Sequence, residues 1–345
     1  MQFKIISDIS DFQHLSNLWN RLISNKHSVF QTFEFNFFSW KYLLINNPKN
    51  KLCIVVVTAE FDKQSIFPFY IDESKNIRFI NDLHSDYCDF IGNSNFDISK
   101  VFSVIKNEHD IKSIRLLNLK SSSLTYKFLK INLDFKFFHI QKKTISSYLI
   151  LEKKEFPDNS TLYKSKQKTE FKRIIKIHKS SRHIVMQFET NIFPINEIYY
   201  MRNRMIKLGI RKNNFLNESQ INIIRELYNS KKLIISLVSH NNKAQAISFI
   251  LKNNNKYLFW IDMFDNIKLI NLFNYIMLIK KVSDKNSVKI DFGRGGYIYK
   301  LYNFKPKIEY LSDIYLFYNM YDFYIYRFKY FIINSLKYIY KKIIQ

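Results

Sequence analysis

The sequence predicts a mixed α/β fold in two similar halves, and three observations carry that prediction. At 345 residues the chain is long for one core and suits two domains of ordinary size. Its apolar content of 47%, with 17% aromatic residues, is ample for globular packing and argues against disorder. The third observation is a weak internal repeat. The run from Lys51 to Thr58 leads through a polar turn to Gln64–Phe69. Displaced by 181 residues without a gap, Lys232–Ser239 leads to Gln245–Ile250, with six of twenty aligned positions identical. A helical segment precedes each copy, with Asn20-Arg21-Leu22-Ile23 in one and Asn203-Arg204-Met205-Ile206 in the other. The order, helix before hairpin in both halves, points to a duplicated domain.

Periodicity places helices over 10–24, 32–46, 97–107, 163–181, 195–208, 217–229 and 268–282. Thr32 before Glu34 and Asn217 before Glu218 put caps and acids where helix starts want them. Apolar runs between turn signals predict strands over 52–59, 64–70, 113–118, 136–141, 145–151, 184–189, 233–239, 244–251, 256–262 and 287–291. Hairpins inside each half, with helices before and after, imply mixed sheets flanked by helices. Pro157-Asp158-Asn159-Ser160 reads as the seam, giving halves of 1–156 and 157–312 followed by a helical tail, 313–345.

The formal charge is +25, from 54 basic and 29 acidic residues. Such an excess suits nucleic acid, an anionic membrane surface or phosphorylated ligands. The chain is equally rich in Lys, Asn, Ile, Phe and Tyr, as AT-rich coding produces, so solvated lysines are an even-handed alternative. The strongest local excess lies between Lys164 and Arg182, with eight basic residues against Glu170. It either meets a phosphate-bearing substrate or is a solvated helix face. Nothing in it matches the motifs of dedicated nucleic-acid readers. Cys53 and Cys88 have neither metal-type spacing nor the makings of a disulfide framework, which fits a reducing compartment. His178 and His183 show no metal spacing either, and no metal is expected. The N-terminus lacks a signal peptide's apolar core and no stretch approaches ~20 uncharged apolar residues. A cytoplasmic protein is expected, with a peripheral contact on the inner face of the membrane left open. In the tail, Arg327, Asn334, Lys337, Lys341 and Lys342 fall on one side of a helical wheel. Phe328, Ile332, Leu336, Ile339 and Ile343 fall on the other, with Lys329 the exception. That apolar side suits either an anionic bilayer interface or the protein's own core.

Three of the five glycines lie at 293, 295 and 296, behind the apolar run Val288–Asp291 and before Tyr299-Lys300. Glycine permits positive φ and close approach to the main chain. A strand ending in Asp291, then Gly-Arg-Gly-Gly, then Tyr-Lys reads as a working turn with one acid and two cations.

Together these features resemble the FemAB-related branch of the GNAT acyltransferase superfamily, which places two GNAT-like domains in tandem. Val29-Phe30-Gln31-Thr32 with Trp40 resembles the family's "Phe-Gln, then Trp" signature, and Asp86-Tyr87-Cys88-Asp89 its Asp-Tyr-x-Asp segment. Lys172-Arg173 matches its basic helix, and Asp291-Phe292-Gly293-Arg294-Gly295 with Tyr299-Lys300 its "Asp-Phe-x-x-Gly … Tyr-Lys" ending. The resemblance implies acyl transfer without a covalent enzyme intermediate, from acyl-CoA, acyl carriers or aminoacyl-tRNA. It implies acetyl-CoA or another acyl-CoA as co-substrate here, and an amino sugar, saccharide or lipid-linked saccharide of surface-polysaccharide assembly as acceptor. Lys300 is then the electrostatic stabiliser of an oxyanion or phosphate, with Tyr299 and Asp291 beside it. Asp291 equally suits a cap on the glycine turn. Arg294 would clamp a phosphate or carboxylate, and Lys172 and Arg173 would meet substrate charge. Asp86, Tyr87 and Asp89 would orient the acceptor, or form an ordinary Asx-rich turn. Gly293 and Gly295 would let the donor approach. The family often carries glycine before the helix that holds pyrophosphate. Here Asp265-Asn266-Ile267-Lys268 has none, so Lys268 and Asn266 would supply the contacts. The absent glycine and the basic helix motivate an alternative, a Fem-type aminoacyl-tRNA-dependent peptidyltransferase with tRNA as partner. From another class, the alternative is a non-catalytic membrane or polysaccharide-assembly adaptor on a decayed acyltransferase fold.

Overall fold

A computed structural model describes residues 1–24, 26–92, 97–131, 135–179 and 184–344. Its strands are β1 (Gln2–Ile6), β2 (Lys51–Thr58), β3 (Gln64–Ile71), β4 (Asn76–Phe79), β5 (Ile91–Gly92), β6 (Ser113–Lys120), β7 (Phe137–Leu151), β8 (Ile184–Gln187), β9 (Leu233–His240), β10 (Lys243–Asn253), β11 (Lys256–Phe264), β12 (Val288–Arg294) and β13 (Lys307–Phe317). Its α-helices are α1 (Ile9–His14), α2 (Ser16–Leu22), α3 (Phe33–Ser39), α4 (Ile98–Glu108), α5 (Leu124–Ile131), α6 (Ser165–Lys179), α7 (Ile195–Lys207), α8 (Glu218–Asn229), α9 (Ile270–Ser283), α10 (Ile298–Phe304) and α11 (Met320–Ile344). The chain divides into two units, Met1–Lys143 with Tyr310–Gln345, and Thr144–Glu309.

In the first unit the strand order is β1-β2-β3-β4-β6-β13, with β5 on β3. Every pair is antiparallel except β4 with β6. β2 is buried along almost its whole length because both its faces are covered. Cys53, Val55 and Val57 pack towards α4, while Leu52, Ile54 and Val56 meet Phe12, Trp19 and Trp40. This is why the segment reads as an unbroken apolar run rather than an alternation. In the second unit β8-β9-β10-β11-β12 is completed by the residues of β7 that follow Thr144, again with one parallel pair, β11 with β12. α6 and α9 supply Phe171, Ile174, Phe273 and Ile276 to its main core.

The internal repeat holds at the level of register. β2 pairs with β3 as Leu52↔Tyr70, Ile54↔Pro68 and Val57↔Ser65. Adding 181 to each number gives Leu233↔Leu251, Ile235↔Phe249 and Val238↔Ala246, the pairs observed between β9 and β10. The copies diverge only at the turn. The second closes through Asn241-Asn242, both at positive φ (49° and 59°), the conformation of a tight hairpin turn that Asn tolerates.

Helix caps fall where expected: Thr32 accepts from the Phe35 amide, and Asn217 with Gln220 forms a reciprocal capping box. Several expectations need correction. The helix expected over 10–24 breaks at Leu15 into α1 and α2, and the two strands expected over 136–151 are one, β7. The division between units falls inside β7 rather than at Pro157. Residues 313–317 of the expected tail are strand, because β13 pairs antiparallel with β6 from Leu311↔Lys120 to Phe317↔Ser113. β1, β4, α5 and α10 were not expected. His183, like Arg182, lies outside the described residues, as do the side chains of Ile339, Lys341, Lys342 and Ile343.

Candidate active site

Two parallel strands of the second unit part company. β11 and β12 are paired only from Lys256↔Lys289 to Leu258↔Asp291. Beyond that point β11 continues on β10 to Phe264, and β12 continues on β7 to Arg294. Phe259 and Phe292, the first residues past the parting, meet edge to face with centroids 5.8 Å apart. Tyr275 from α9 closes on both rings and Phe304 from α10 on that of Phe292.

A polar chain runs beside this split, buried at Ser236, Ser248, Asn274 and Tyr275 and open to solvent at Tyr299. Asp262 of β11 accepts from the Ser248 hydroxyl at 2.7 Å and from the Tyr275 hydroxyl. Tyr275 shares a hydrogen bond with Tyr299, which also bonds to Asn271. Behind Asp262, Asn274 donates to the Ser248 oxygen at 2.8 Å and accepts from Ser236 at 3.2 Å. Burial, reinforced by the Asp262 charge, holds both phenols well above the ordinary tyrosine range. Both are therefore neutral hydroxyls at physiological pH, able to donate a proton.

The glycine turn follows β12. Asp291 is buried and its Oδ1 accepts from the Gly293 amide at 2.9 Å, so it caps the turn. Gly293 and Gly295 have φ of 73° and 115°, which a side chain rarely adopts. The Gly295 amide donates to the Ile145 carbonyl at 2.8 Å, pinning the turn to β7. Lys300 is only 5% exposed. Its Nζ donates to the Phe292 carbonyl at 2.8 Å and lies 5.3 Å from the Tyr297 ring, 5.6 Å from Tyr275 and 6.0 Å from Tyr299. The ammonium is thus a fixed buried charge among aromatic faces, not a solvated lysine after a turn. Asp291, Gly293, Gly295, Tyr299 and Lys300 are gathered at the end of β12, with Arg294 half-buried among them.

Asn266 and Lys268 are exposed just ahead of α9. At its cap position Leu269 has a φ of 64° and offers no side-chain cap. His178 of α6 bonds to the Lys268 main chain, and its burial holds the imidazole below its ordinary range. Lys172 pairs with Asp158 at 3.0 Å and Arg173 with Glu170, all at the surface.

The other predicted residues belong to the first unit. Gln31 is buried and donates to the Tyr87 carbonyl at 3.0 Å, so the Phe-Gln and Asp-Tyr-x-Asp segments meet. The Tyr87 ring lies edge-on to Phe30, with the Lys120 ammonium 3.5 Å from its centroid. Both Asp89 oxygens are engaged: they accept from the Leu124 and Thr125 amides at 3.0 Å and from the Thr125 hydroxyl, capping α5. Asp86 is half-buried. A cleft of about 530 Å³ lies in the first unit at the start of its own parallel pair, β4 and β6, where Asn76, Lys112 and Arg115 face Tyr321, Ile325 and Lys329 of α11. Among the described residues no cluster of His, Cys, Asp and Glu could hold a metal.

The reading from sequence missed Asp262, Tyr275, Ser248, Asn274 and Ser236. A signal existed, since Ser248 interrupts the run Ala246-Ile247-Ser248-Phe249-Ile250 and Asn274 sits inside Leu272-Phe273-Asn274-Tyr275-Ile276. A lone polar residue within a buried apolar run needs a hydrogen-bond partner, and several such residues on neighbouring elements form a network.

No protein-family model matches the sequence, and no curated protein matches it. Solved structures do. L-PGS from Bacillus licheniformis superposes with a TM-score of 0.59 at 9% identity, covering 91% of this chain and 93% of that one. FemX gives 0.55 at 10%, covering 90% and 97%. A tandem GNAT protein from the clavulanic acid biosynthesis pathway gives 0.51 at 9%, covering 91% and 98%. The chain shares the fold of these three proteins, with two α/β units in tandem.

Proposed function

We propose that this chain is an acyltransferase whose second unit moves an acyl group from acyl-CoA, acetyl-CoA in the simplest case, to the amine of an amino sugar or saccharide intermediate of surface-polysaccharide assembly. The observation that carries the reading is the parting of β11 and β12 with Asp262, Tyr275, Tyr299 and Lys300 beside it. The acceptor amine attacks the thioester carbon, the C–S bond breaks, and the amide forms. The departing thiolate takes a proton from the neutral Tyr299 hydroxyl, which is linked through Tyr275 to Asp262. The acceptor's ammonium gives one proton to solvent before attack, and the second proton, lost from nitrogen as the amide forms, restores the Tyr299 hydroxyl. Lys300 supplies fixed positive charge while the oxyanion develops. The uncapped start of α9, with Lys268 and Asn266 exposed beside it, would take the donor's phosphates. Leu269 occupies the place where a phosphate cradle prefers glycine, so side-chain charge carries more of that contact.

Thiol release from acetyl-CoA, assayed against amino-sugar nucleotides and lipid-linked amino sugars, tests this. Lys300→Met is expected to lower kcat ~10²–10³-fold, the usual effect of one lost stabilising donor. Unchanged turnover would remove Lys300 from the mechanism, and no release with any acceptor would remove the thioester donor.

One observation favours a second reading. α6 and the residue before it keep Lys164, Lys166, Lys172, Arg173, Lys176 and Lys179 exposed, and α6 is bonded through His178 to the start of α9, which suits a donor with a longer phosphate backbone, an aminoacyl-tRNA. Gel-shift titration with bulk tRNA at physiological salt separates the two, since binding tighter than ~1 µM exceeds the non-specific range.

A further inference from the structure

Helix α11 uses one stripe to dock and presents another to solvent. Phe323 meets Phe137 and Phe317, Tyr326 meets Tyr315 and Phe317, and Tyr326 and Tyr330 both meet His139. At ~100° per residue these three docking residues span about 60° of the helix. On the opposite side, Tyr324, Phe328, Phe331 and Ile332 fall within about 100° of one another. They are 60%, 66%, 68% and 40% exposed, and Leu336 beyond them is 60% exposed. The apolar side of the tail is therefore not the side that docks. Exposed Arg327 and Lys329 border this aromatic face on its two edges. A helix packed on its own core normally turns polar residues outward. A contiguous exposed aromatic stripe with cations at both margins marks an interaction surface.

The chemistry selects the partner. Tyr and Phe with flanking Lys and Arg suit the headgroup level of a bilayer, where rings immerse and cations reach lipid phosphate. A second copy is disfavoured, because facing stripes would oppose cation to cation in a chain of charge +25. No helix among the described residues is long and apolar enough to cross a membrane, so the contact is one of lying on the surface. We propose that α11 is a membrane-interface helix that seats Tyr324, Phe328, Phe331 and Ile332 in an anionic phospholipid surface, with Arg327 and Lys329 on the lipid phosphates. This goes beyond the proposed reaction and stands whatever group the second unit transfers.

Co-sedimentation of the full chain with phosphatidylcholine vesicles, with and without phosphatidylglycerol, tests it. Binding is expected with the anionic lipid and at least tenfold weaker without it. The exposed pair Phe328→Ser/Phe331→Ser is expected to lower binding at least tenfold while leaving the melting temperature unchanged. Arg327→Gln/Lys329→Gln is expected to lower binding as much, with any change in melting temperature traced to the Arg327 contacts with His139 and Phe323, whereas a charge-matched control in the second unit, Lys207→Gln/Lys212→Gln, is not expected to lower it. Three outcomes overturn the proposal. They are absence of binding, an equal loss in the control pair (which would assign binding to overall charge), and a dimer on sedimentation that the phenylalanine pair abolishes.

Discussion

Asp82 is a carboxylate with its side chain fully buried beside Arg78, whose Nε lies 2.8 Å from it. Burial pushes its pKa up to about 6; Arg78 opposes that rise, and Asp72 and Asp313 add to it. The unfolded chain titrates this group near 3.8, so below that pH both states are protonated and its contribution is fully present. Between about 4 and 6 the unfolded state gives up its proton first, and stability falls as pH rises. The gap between the folded and unfolded values corresponds to roughly 2–3 kcal/mol. Asp82→Asn stays neutral and lacks that slope. Urea midpoints across this pH window should show wild type losing ground to the variant by about that amount; a constant difference would mean Asp82 titrates normally. Nothing in the sequence announces such a residue, because one acid inside Ile80-Asn81-Asp82-Leu83 does not disturb any period. Residues at the end of β12 were legible for the opposite reason. A chain with five glycines that places three within four positions advertises unusual backbone, and Lys300 was readable by its place after them. Its burial was not, since that depends on Tyr275, distant in sequence.

Between β12 and α10, two kinds of cost fall on the glycine turn. An alanine at Gly295 would meet the φ of 115° and would also place its Cβ 2.7 Å from the Tyr297 ring. Gly209, after α7, shares only the first cost: φ is 69° and nothing lies within 4 Å of its would-be Cβ. Gly209→Ala is expected to cost ~1–2 kcal/mol, the left-handed penalty alone. Gly295→Ala should cost clearly more, and chemical denaturation of both variants decides it. Equal costs would mean that the ring gives way freely. Elements with strong patterns, such as the hairpins of both units and α8, were legible. The missed ones are short or ambiguous: four residues in β4, seven in α10, eight in α5. β13 was missed because its run, Lys307–Phe317, mixes charge and aromatics and leads without a break signal towards α11. In the fold it is decided by pairing with β6, a contact spanning nearly two hundred positions.

The tandem plan of the molecule was readable from the 181-residue repeat, whereas the path of its last strand was not. A repeat compares each half with the other and carries no mark of which segment finishes which sheet. The first unit is finished by the C-terminal part of the chain. Leu311, Ile314 and Leu316 of β13 are fully buried there, and the Asp313 carboxylate accepts from the Asn118 amide at 2.8 Å and pairs with Lys143 at 2.8 Å. The ends to be joined are close, since the Lys142 ammonium lies 5.5 Å from the Tyr310 ring. Three buried aliphatic side chains contribute ~5–8 kcal/mol, comparable with the whole stability of an ordinary domain. A fragment ending at the sequence-level seam, residues 1–156, is therefore expected to unfold without cooperativity or to aggregate along the bare edge of β6. Residues 1–143 joined through a short Gly-Ser linker to 310–345 should instead give one cooperative transition in urea. If the two fragments unfold alike, β13 is an accessory to the first unit rather than part of its core.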